Sequence, residues 1–474
     1  MDQYKEKHTL LAQGTYGCVY RPGFQCKTNK PTSKNFVSKL QVDNTGSLLE
    51  VEFGKRIKKN VRNYSLFFAP IVESCEINVT NIDERYMNQC EVYEKYKNKA
   101  FSSNKMEYVG DQTFCDFFID FMSNTDSPDK MKRFLTKLVD AHTYLLSSLE
   151  LLIQQNIIHA DLKENNILYH NKNYTFVIID LGLASDSQML ELSNYKKDVS
   201  KRPFGVQTDS YVPWALDLNL LSYIARQVQT QRVDGVYNAL DPAIFDSVPT
   251  RTHIAEMKEI VTKYIETNPL FAKKCFTDKD LNEFEKRYHA LIKSWRENTW
   301  GEIWTLIQVH YRSWDTYALN VTILRLLMDT NITDFLNENT KYKEVEKPVQ
   351  NRLGDTIRMA FTGNAQDNLE TVHFFKQYLE WLKTSILCGP AERPLPLDCI
   401  PKIKSFFSKI PKPMMNRWQL YVKDNIFTDK NRQQAKKQIK ESLLDTVEAE
   451  NKLRGQLAKI QVGRLDNPPP ILGQ

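Results

Sequence analysis

Two short apolar runs, with polar residues before and between them, constrain this chain more than any other feature. The runs Asn166-Ile-Leu-Tyr and Phe176-Val-Ile-Ile are too short for helices and flank a polar turn. This pattern predicts a β-hairpin. The segment Ile157-Ile-His-Ala-Asp-Leu-Lys-Glu-Asn-Asn leads into the first strand, and Asp180 directly follows the second. The hairpin therefore carries several polar side chains within a short stretch of chain.

The remaining pattern separates a strand-rich first part from a helical second part. The predicted elements are strands within 8–42, a helix at 45–60, strands near 71–79 and 103–109, a long amphipathic helix at 130–155, and helices from about 215 onwards. Breaks are expected near Pro348 and at the proline-rich stretch 390–403, and an unstructured end is expected from Leu465. This order predicts an α+β protein with a small strand-rich lobe and a larger helical lobe.

The segment Ala12-Gln-Gly-Thr-Tyr-Gly-Cys-Val19 places glycines between two predicted strands. Without a Cβ, glycine lets backbone N–H groups approach phosphate oxygens closely. An ordinary hairpin turn is the alternative interpretation. The pattern is also imperfect, because Ala12 stands where a G-x-G-x-x-G loop has its first glycine.

Lys39 lies in a predicted strand among apolar neighbours, twenty residues after Val19 (39 − 19). A lone lysine in a strand is usually a surface charge, but after a glycine loop it becomes a candidate for binding phosphates. Such a lysine needs a carboxylate partner, and the helix at 45–60 offers Glu50 and Glu52. We expect Glu50 to face the lysine, with Leu48, Val51, Phe53 and Ile57 packing that helix.

Together, His159-Ala-Asp-Leu-Lys-Glu-Asn-Asn and Asp180-Leu-Gly resemble the signature of eukaryotic protein kinases, H-R-D-L-K-x-x-N followed by D-F-G. Asn166 lies five residues after Asp161 (166 − 161), and Asp180 lies fourteen residues after Asn166 (180 − 166). The resemblance implies that Asp161 is the catalytic base and that Lys163 neutralises charge on the transferred phosphoryl group. It also implies ATP as phosphoryl donor, with Mg²⁺, or Mn²⁺ as an alternative, held by Asn166 and Asp180.

The resemblance further implies an ATP-binding site in a bilobal, protein-kinase-like fold. The residues that the resemblance assigns to this site in the first part of the chain are Ala12, Gly14, Gly17 and Val19 of the glycine segment, together with Lys39 and Glu50. The segment Lys105-Met-Glu-Tyr-Val-Gly resembles the hinge between the lobes, with a plain strand end as the alternative. Met106 would be the gatekeeper, and the Glu107 carbonyl and the Val109 N–H would face adenine. A lysine two residues after the catalytic aspartate resembles serine/threonine kinases, so the implied partners are proteins with Ser or Thr acceptors.

Several positions depart from the family pattern. Ala160 replaces the arginine that precedes the catalytic aspartate, and Leu181 replaces the phenylalanine of D-F-G. Because that arginine often receives an activation-loop phosphate, we expect activity that phosphorylation does not gate. The Ala-Pro-Glu motif of the family is absent from its expected place, and the most similar segment there is Tyr211-Val-Pro-Trp. The helix that anchors the catalytic loop has two candidates, around Asp217 and around Asp315. The second is the closer match and predicts a helical insertion over about 218–313.

These motifs divide the chain into three regions. The resemblance implies a kinase N-lobe and hinge at 1–110, a helical kinase C-lobe at 111–345, and a helical C-terminal region with a basic, partly disordered tail at 346–474. The motifs resemble those of the divergent serine/threonine kinases of large nucleocytoplasmic DNA viruses. This resemblance implies a viral protein that is located in the host cytoplasm or the virion.

Composition limits the location and the partners. Hydrophobic residues make up 41% and charged residues 26% of the chain, as in soluble globular proteins. No apolar run approaches the length of a membrane span, and the polar N-terminus is no secretory signal. The eight cysteines are scattered without a Cys-x-x-Cys pair, so no zinc site or disulfide scaffold is expected and a reducing cytosol fits best.

Residues 401–474 hold 15 basic and 7 acidic residues. Such a tail can meet nucleic acid, anionic lipid or an acidic partner, although a solvated helical face is the simpler interpretation.

Two other functions compete with a protein kinase. A pseudokinase or virion scaffold would ordinarily have lost Lys39, Asp161 or Asp180, and all three are present. A small-molecule phosphotransferase of kinase-like fold also uses an aspartate-rich hairpin, but the spacing that includes Lys163 favours protein substrates.

Overall fold

The computed structural model describes residues 8–14, 17–24, 35–42, 45–77, 82–124, 130–197, 211–227, 229–233, 236–240, 242–272, 276–329 and 365–408. Within these ranges the protein is α+β, with a small antiparallel sheet first and mostly helices after it. The sequence predicts this order. The break predicted near Pro348 and the tail from residue 409 onwards lie outside the described residues.

Five antiparallel strands form the sheet near the N-terminus, in the order β1-β2-β3-β5-β4. The strands are β1 (Thr9–Gly14), β2 (Gly17–Arg21), β3 (Phe36–Val42), β4 (Ile71–Ile77) and β5 (Phe101–Glu107). The central strand β3 pairs with β2 on one side and with β5 on the other, so Lys39 lies opposite Val19 and Asn104. The middle of the sheet therefore carries the predicted phosphate-binding lysine.

Helix α1 (Thr45–Asn60) packs on this sheet at the predicted position. Gly54 permits a close approach, since a Cβ there would lie 2.4 Å from the carbonyl oxygen of Ile71 in β4. Phe53 and Ile57 are buried as expected, but Leu48 is 64% exposed, so its predicted packing is wrong. Leu48 lies five residues before Phe53, which places it roughly 140° away around the helix and off the packed face.

The predicted hairpin forms in the second part of the chain. Strand β7 (Ile167–His170) pairs with β8 (Thr175–Ile178), and a short ribbon joins β6 (Ile157–Ile158) to β9 (Ser185–Asp186). Helices α2 (Glu84–Met87) and α3 (Glu91–Lys95) lie between β4 and β5 in the chain, and α3 contacts β2 and β3 of the first sheet. Helices α4 (Phe114–Asn124) and α5 (Lys130–Gln154) contact the hairpin, and α6 (Leu192–Tyr195) follows β9 in the chain. Helix α5 is the long amphipathic helix that the sequence predicts.

The remaining described chain is mainly helical. Its elements are α7 (Leu216–Gln227), β10 (Gln229–Val233), β11 (Val236–Leu240), α8 (Arg251–Thr267), α9 (Pro269–Ala272), α10 (Asp278–Ser294), α11 (Trp300–Gln308), α12 (Trp314–Asp329), α13 (Ala365–Leu387) and α14 (Pro396–Ser408).

Two features differ from the sequence expectation. The β10–β11 hairpin interrupts a region predicted as helical, and the sequence signal for it is the dipeptide Asp234-Gly235, which favours tight hairpin turns. Helix α14 begins within the stretch 390–403 predicted as a break, and it extends beyond that stretch to Ser408. Pro396 occupies its first position, where a proline leaves no hydrogen bond unmade, and Pro401 lies inside the helix.

A large core joins these helices, with α14 packed on α5 and α13 packed on α12. An ion pair lies within it: Arg393 Nη2 is 2.7 Å from Asp217 Oδ1, and each side chain is only 1% exposed. Asp217 lies in the first turn of α7, while Arg393 lies between α13 and α14, so the pair ties two distant parts of the chain together. Removing one partner of such a buried pair leaves an uncompensated charge, which is strongly destabilising.

Cys18 on β2 and Cys90 before α3 form a disulfide, with their Cα atoms 5.9 Å apart. The expectation that no disulfide would form is therefore wrong for this pair. Their separation of 72 residues hides the contact, since only the folded sheet brings β2 beside the segment that precedes α3. Among the other cysteines of the described chain, Cys115, Cys388 and Cys399 are free thiols.

Within the described part of the chain, none of the helices combines the length and the apolar character that crossing a membrane would require.

Candidate active site

The glycine segment lies on the β1–β2 hairpin. Gly14 and Gly17 form the last pair of the ladder, and Ala12 lies opposite Val19. A Cβ on Gly17 would lie 2.4 Å from the carbonyl oxygen of Leu40, so β2 approaches β3 there only because residue 17 is glycine. A Cβ on Gly14 would meet nothing within 4 Å. The packing thus requires the second glycine, whereas Gly14 leaves open space beside the hairpin.

Lys39 lies between two carboxylates. Its Nζ atom is 3.1 Å from both carboxylate oxygens of Glu50 and 2.7 Å from Oδ1 of Asp180. Burial alone would lower the pKa of Lys39, but the two negative charges outweigh it and raise that pKa. The lysine therefore stays a cation at neutral pH, held between Glu50 of helix α1 and Asp180 in the segment after β8.

The Glu50 carboxylate is only 2% exposed and has further support from the sheet. Gln41 donates from Nε2 to Glu50 Oε2 at 3.0 Å, and Asn104 in turn donates to Oε1 of Gln41. Glu52 points away from this network, with a side chain 52% exposed and paired with Arg56. The expectation that Glu50, and not Glu52, faces Lys39 is thus confirmed. Sequence reasoning missed Gln41 and Asn104, although Gln41 shares a strand face with Lys39.

Asp161, Lys163 and Asn166 form a compact cluster before β7. Asn166 donates from Nδ2 to the backbone carbonyl of Asp161 at 2.7 Å and to its Oδ2 at 2.9 Å. The Lys163 ammonium lies 2.9 Å from Oδ1 of Asp161 and 3.1 Å from its Oδ2. The structure therefore brings the predicted base, cation and amide into direct contact.

The Asp161 carboxyl is largely buried in this cluster. Burial raises its pKa, and the neighbouring Lys163 ammonium lowers it in part, so that the pKa ends above the ordinary value for aspartate. A carboxylate with a raised pKa binds a proton more readily than an exposed one does. This property suits a group that must receive a proton.

Asp315 at the start of α12 holds the backbone that precedes Asp161. Its Oδ2 accepts the backbone N–H of His159 at 2.7 Å, and its Oδ1 accepts that of Ala160 at 2.9 Å. Ala160 has a φ of 59°, in the left-handed region that a residue with a Cβ seldom adopts. Surrounding contacts must fix such a conformation. Of the two sequence candidates, Asp315 therefore contacts the loop, whereas Asp217 pairs with Arg393.

Asp180 follows β8 with a φ of 62° and a side chain that is 39% exposed. Its Oδ1 accepts the Gly182 N–H at 3.2 Å as well as a bond from Lys39. Burial acts to raise the pKa of Asp180, but the Lys39 ammonium and the Gly182 N–H outweigh it and lower that pKa. Asp180 therefore presents an ionised, partly exposed carboxylate.

The oxygen atoms of Asn166 and Asp180 fit the predicted Mg²⁺ site. The Asn166 amide nitrogen is engaged by Asp161, which leaves the amide oxygen as its ligand atom. No group of three or more His, Cys, Asp or Glu side chains in the described ranges could hold a metal by itself.

The residues predicted for the hinge lie at the end of β5 and just beyond it. Met106 is buried and packs with Val37 and Ile71. Val109 belongs to a separate small cluster, and Glu107 is half-buried, with its pKa raised by burial. A cavity behind Met106 is also lined by Glu50, Ile71, Asp180 and Leu181. Met106 therefore adjoins the ion pairs of Lys39 with Glu50 and Asp180.

Arg56 on α1 joins this helix to the segments around the Asp161 cluster. Its Nη2 lies 2.8 Å from Oδ2 of Asp186 in β9, and its Nη1 donates to the carbonyl of Gln155 at 3.0 Å. Gln155 follows α5, and Asp186 pairs in β9 with Ile157 of β6. Sequence reasoning missed this link because none of these partners is close to Arg56 in the chain.

The sequence singles out Tyr211 only as the first residue of the segment that is most similar to the Ala-Pro-Glu motif. In the structure its hydroxyl donates to Oδ1 of Asp161, and Lys163 Nζ donates to the same hydroxyl at 3.3 Å. A tyrosine from a segment 50 residues further along the chain thus contacts the predicted base directly.

A comparison of the chain with models of known protein families finds no match. The chemistry of the site is therefore inferred from its own side chains. They offer a buried cation, an accessible carboxylate for a metal, and a second carboxylate with a raised pKa.

Proposed function

We propose that this protein is a serine/threonine protein kinase that transfers the γ-phosphoryl group of ATP to protein hydroxyls. The observation that carries the proposal is the position of Lys39, whose ammonium contacts both Glu50 and Asp180. Phosphoryl transfer depends mainly on positioning and on neutralising charge, and this arrangement supplies a fixed cation beside a metal-binding carboxylate. The bilobal kinase fold and the three-region division of the chain are part of the same proposal.

ATP would bind between the glycine hairpin and the catalytic cluster. The backbone around Gly14 and Gly17 and the Lys39 ammonium would hold the phosphates, while Ala12 and Val19 would cover the nucleotide. Adenine would lie beside Met106 and hydrogen-bond to the backbone of Glu107 and Val109. The open space beside Gly14 and the cavity behind Met106 support this placement.

At the other end of the site, Asp161 would accept the proton of the attacking hydroxyl. Its raised pKa favours that proton, and the amide of Asn166 fixes one of its oxygens. Lys163 would neutralise charge that develops on the transferred group. A bound Mg²⁺ held by Asn166 and Asp180 would supply further neutralisation of phosphate charge. Asp315 keeps the backbone before Asp161 in its left-handed conformation.

Purified protein incubated with γ-labelled ATP, Mg²⁺, a panel of basic and acidic proteins and a panel of small-molecule acceptors tests this proposal. We expect label on protein serine or threonine, dependent on Mg²⁺ and absent in Asp161→Asn. Label only on small molecules would indicate a small-molecule phosphotransferase. Nucleotide binding without transfer to any acceptor would indicate a pseudokinase scaffold.

A further inference from the structure

The Asp161 carboxylate is occupied on both oxygens. Its Oδ2 accepts from Asn166 at 2.9 Å and from Lys163 at 3.1 Å. Its Oδ1 lies 2.9 Å from Lys163 and accepts the hydroxyl of Tyr211. Asn166 and Lys163 belong to the same short loop as Asp161 and are intrinsic to the cluster. Tyr211 is the partner that reaches it from another segment, and it contributes the kind of group that a substrate would contribute, a neutral O–H donor.

The phenol of Tyr211 is held at this position by contacts beyond the hydroxyl. Its ring lies edge-on to Trp214, with ring centroids 5.6 Å apart, and the Lys163 ammonium lies 5.7 Å from its ring centroid. Trp214 is itself fixed, because its indole N–H donates to the carbonyl of Ala160 at 2.7 Å. The segment that bears Tyr211 is therefore attached to the loop that bears the base.

We propose that Tyr211 occupies the place of the acceptor hydroxyl and must leave Asp161 before a substrate can react. This inference rests on the proposed kinase function, since it concerns the regulation of the same site. A serine or threonine can pass its proton to Asp161 only through a hydrogen bond to the carboxylate. While the Tyr211 hydroxyl holds Oδ1, a substrate must displace it, and water is kept from the same position. Tyr211 thus limits phosphoryl transfer in the absence of a protein that binds well.

The test compares Tyr211→Phe with the wild type, measuring steady-state transfer to a protein substrate and ATP hydrolysis without substrate. Phenylalanine keeps the ring beside Trp214 but removes the hydrogen bond to the carboxylate. We expect KM for the protein substrate to fall about ten-fold and substrate-free hydrolysis to rise by a similar factor, the change typical of one hydrogen bond to a charged group. Tyr223→Phe is the matched control, because the Tyr223 hydroxyl also donates to a carboxylate, that of Glu256 between α7 and α8. It should leave both rates unchanged.

Two results would overturn the inference while leaving the kinase function intact. The first is a Tyr211→Phe variant with an unchanged melting temperature in which KM for the protein substrate does not fall and substrate-free ATP hydrolysis does not rise. That result would show that the hydroxyl either positions the base or has no effect on it. Phosphate found on Tyr211 of wild-type protein would show that the hydroxyl is an acceptor and no barrier. Absence of transfer in both proteins, with any substrate, would instead defeat the proposed function and this inference with it. If Tyr211→Phe unfolded, Tyr211→His, which keeps a ring beside Trp214, would be measured against the same expectations.

Discussion

The ammonium of Lys39 lies 2.7 Å from Oδ1 of Asp180, although 141 residues separate them in the chain. Lys39 belongs to the central strand of the N-terminal sheet, and Asp180 follows the β7–β8 hairpin. Their contact joins the two parts of the fold at the point where the proposed phosphate site lies. Glu50 completes the arrangement by binding the same ammonium from α1.

Replacing Glu50 with glutamine should slow phosphoryl transfer at least ten-fold. The change removes the charge that holds Lys39, and a hydrogen bond between charged groups is worth about 1.5–3 kcal/mol. Glu52→Gln is the matched control on the same helix, because Glu52 is half exposed and contacts Arg56 instead; its rate should stay within about two-fold of wild type. Steady-state rates at saturating substrate decide the matter, and the reverse ranking would contradict the role given to Glu50.

The pH dependence of the rate should report on Asp161. Burial raises the pKa of Asp161 and Lys163 lowers it in part. Because the base must be deprotonated, the rate should fall as the pH falls through that pKa. In Lys163→Met the lowering influence is gone, so the acid limb should move to higher pH, in addition to a loss of rate. Measurement of kcat against pH for both proteins provides the check, with the exposed Lys97→Met as control. An acid limb that moved to lower pH would disprove the assignment.

Phosphatase treatment should leave the rate of transfer unchanged. Ala160 lacks the guanidinium that would receive a phosphate on the chain between Asp180 and Pro213. Arg56 already ties α1 to Asp186 at 2.8 Å, which fixes Glu50 without any modification. Arg56→Met should therefore lower the rate several-fold where dephosphorylation does not. A large loss after phosphatase treatment would show that phosphorylation gates the enzyme, and would point to a receiver such as Lys201 or Arg202.

Asp217 and Asp315 should differ in what they support. Asp217→Asn leaves Arg393 charged and unpaired in the core, so we expect the free energy of unfolding to fall by about 3–5 kcal/mol. The double variant Asp217→Asn, Arg393→Met should recover part of that loss. Asp315→Asn should instead reduce the rate of transfer in protein that is still folded, because its partners are the backbone N–H groups of His159 and Ala160. Denaturant titrations and rate measurements on the same samples separate the two effects. Equal loss of stability and rate in both variants would contradict this division.

Local patterns in the sequence predict much of the site. The apolar runs around the polar turn predict the β7–β8 hairpin, and helical spacing predicts α1 and α5, because these patterns depend on neighbours within a few residues. The register of α1 also predicts which of Glu50 and Glu52 faces Lys39. The error at Leu48 is of the same local kind, since an apolar residue near the first turn of a helix can lie beside its packed face.

Partners that are distant in the chain could not be predicted in this way. Tyr211 on Asp161, Arg393 on Asp217 and Cys18 with Cys90 each depend on how separate elements pack. The single sequence carries no periodicity that links such residues. Asp315 is the exception, because its motif resembles a family pattern, and that resemblance ranked it above Asp217.

Transfer of labelled γ-phosphate in wild type and in Asp161→Asn tests the central claim most directly. Asparagine keeps the size of the side chain but cannot accept the proton, so we expect a loss of roughly 100-fold or more, in line with general-base contributions. The melting temperature should change little, and ATP binding with Mg²⁺ should persist, since Lys39 and Asp180 are untouched; Asp180→Ala should abolish that Mg²⁺-supported binding. A near-normal rate in Asp161→Asn would contradict the assignment of Asp161 as the catalytic base.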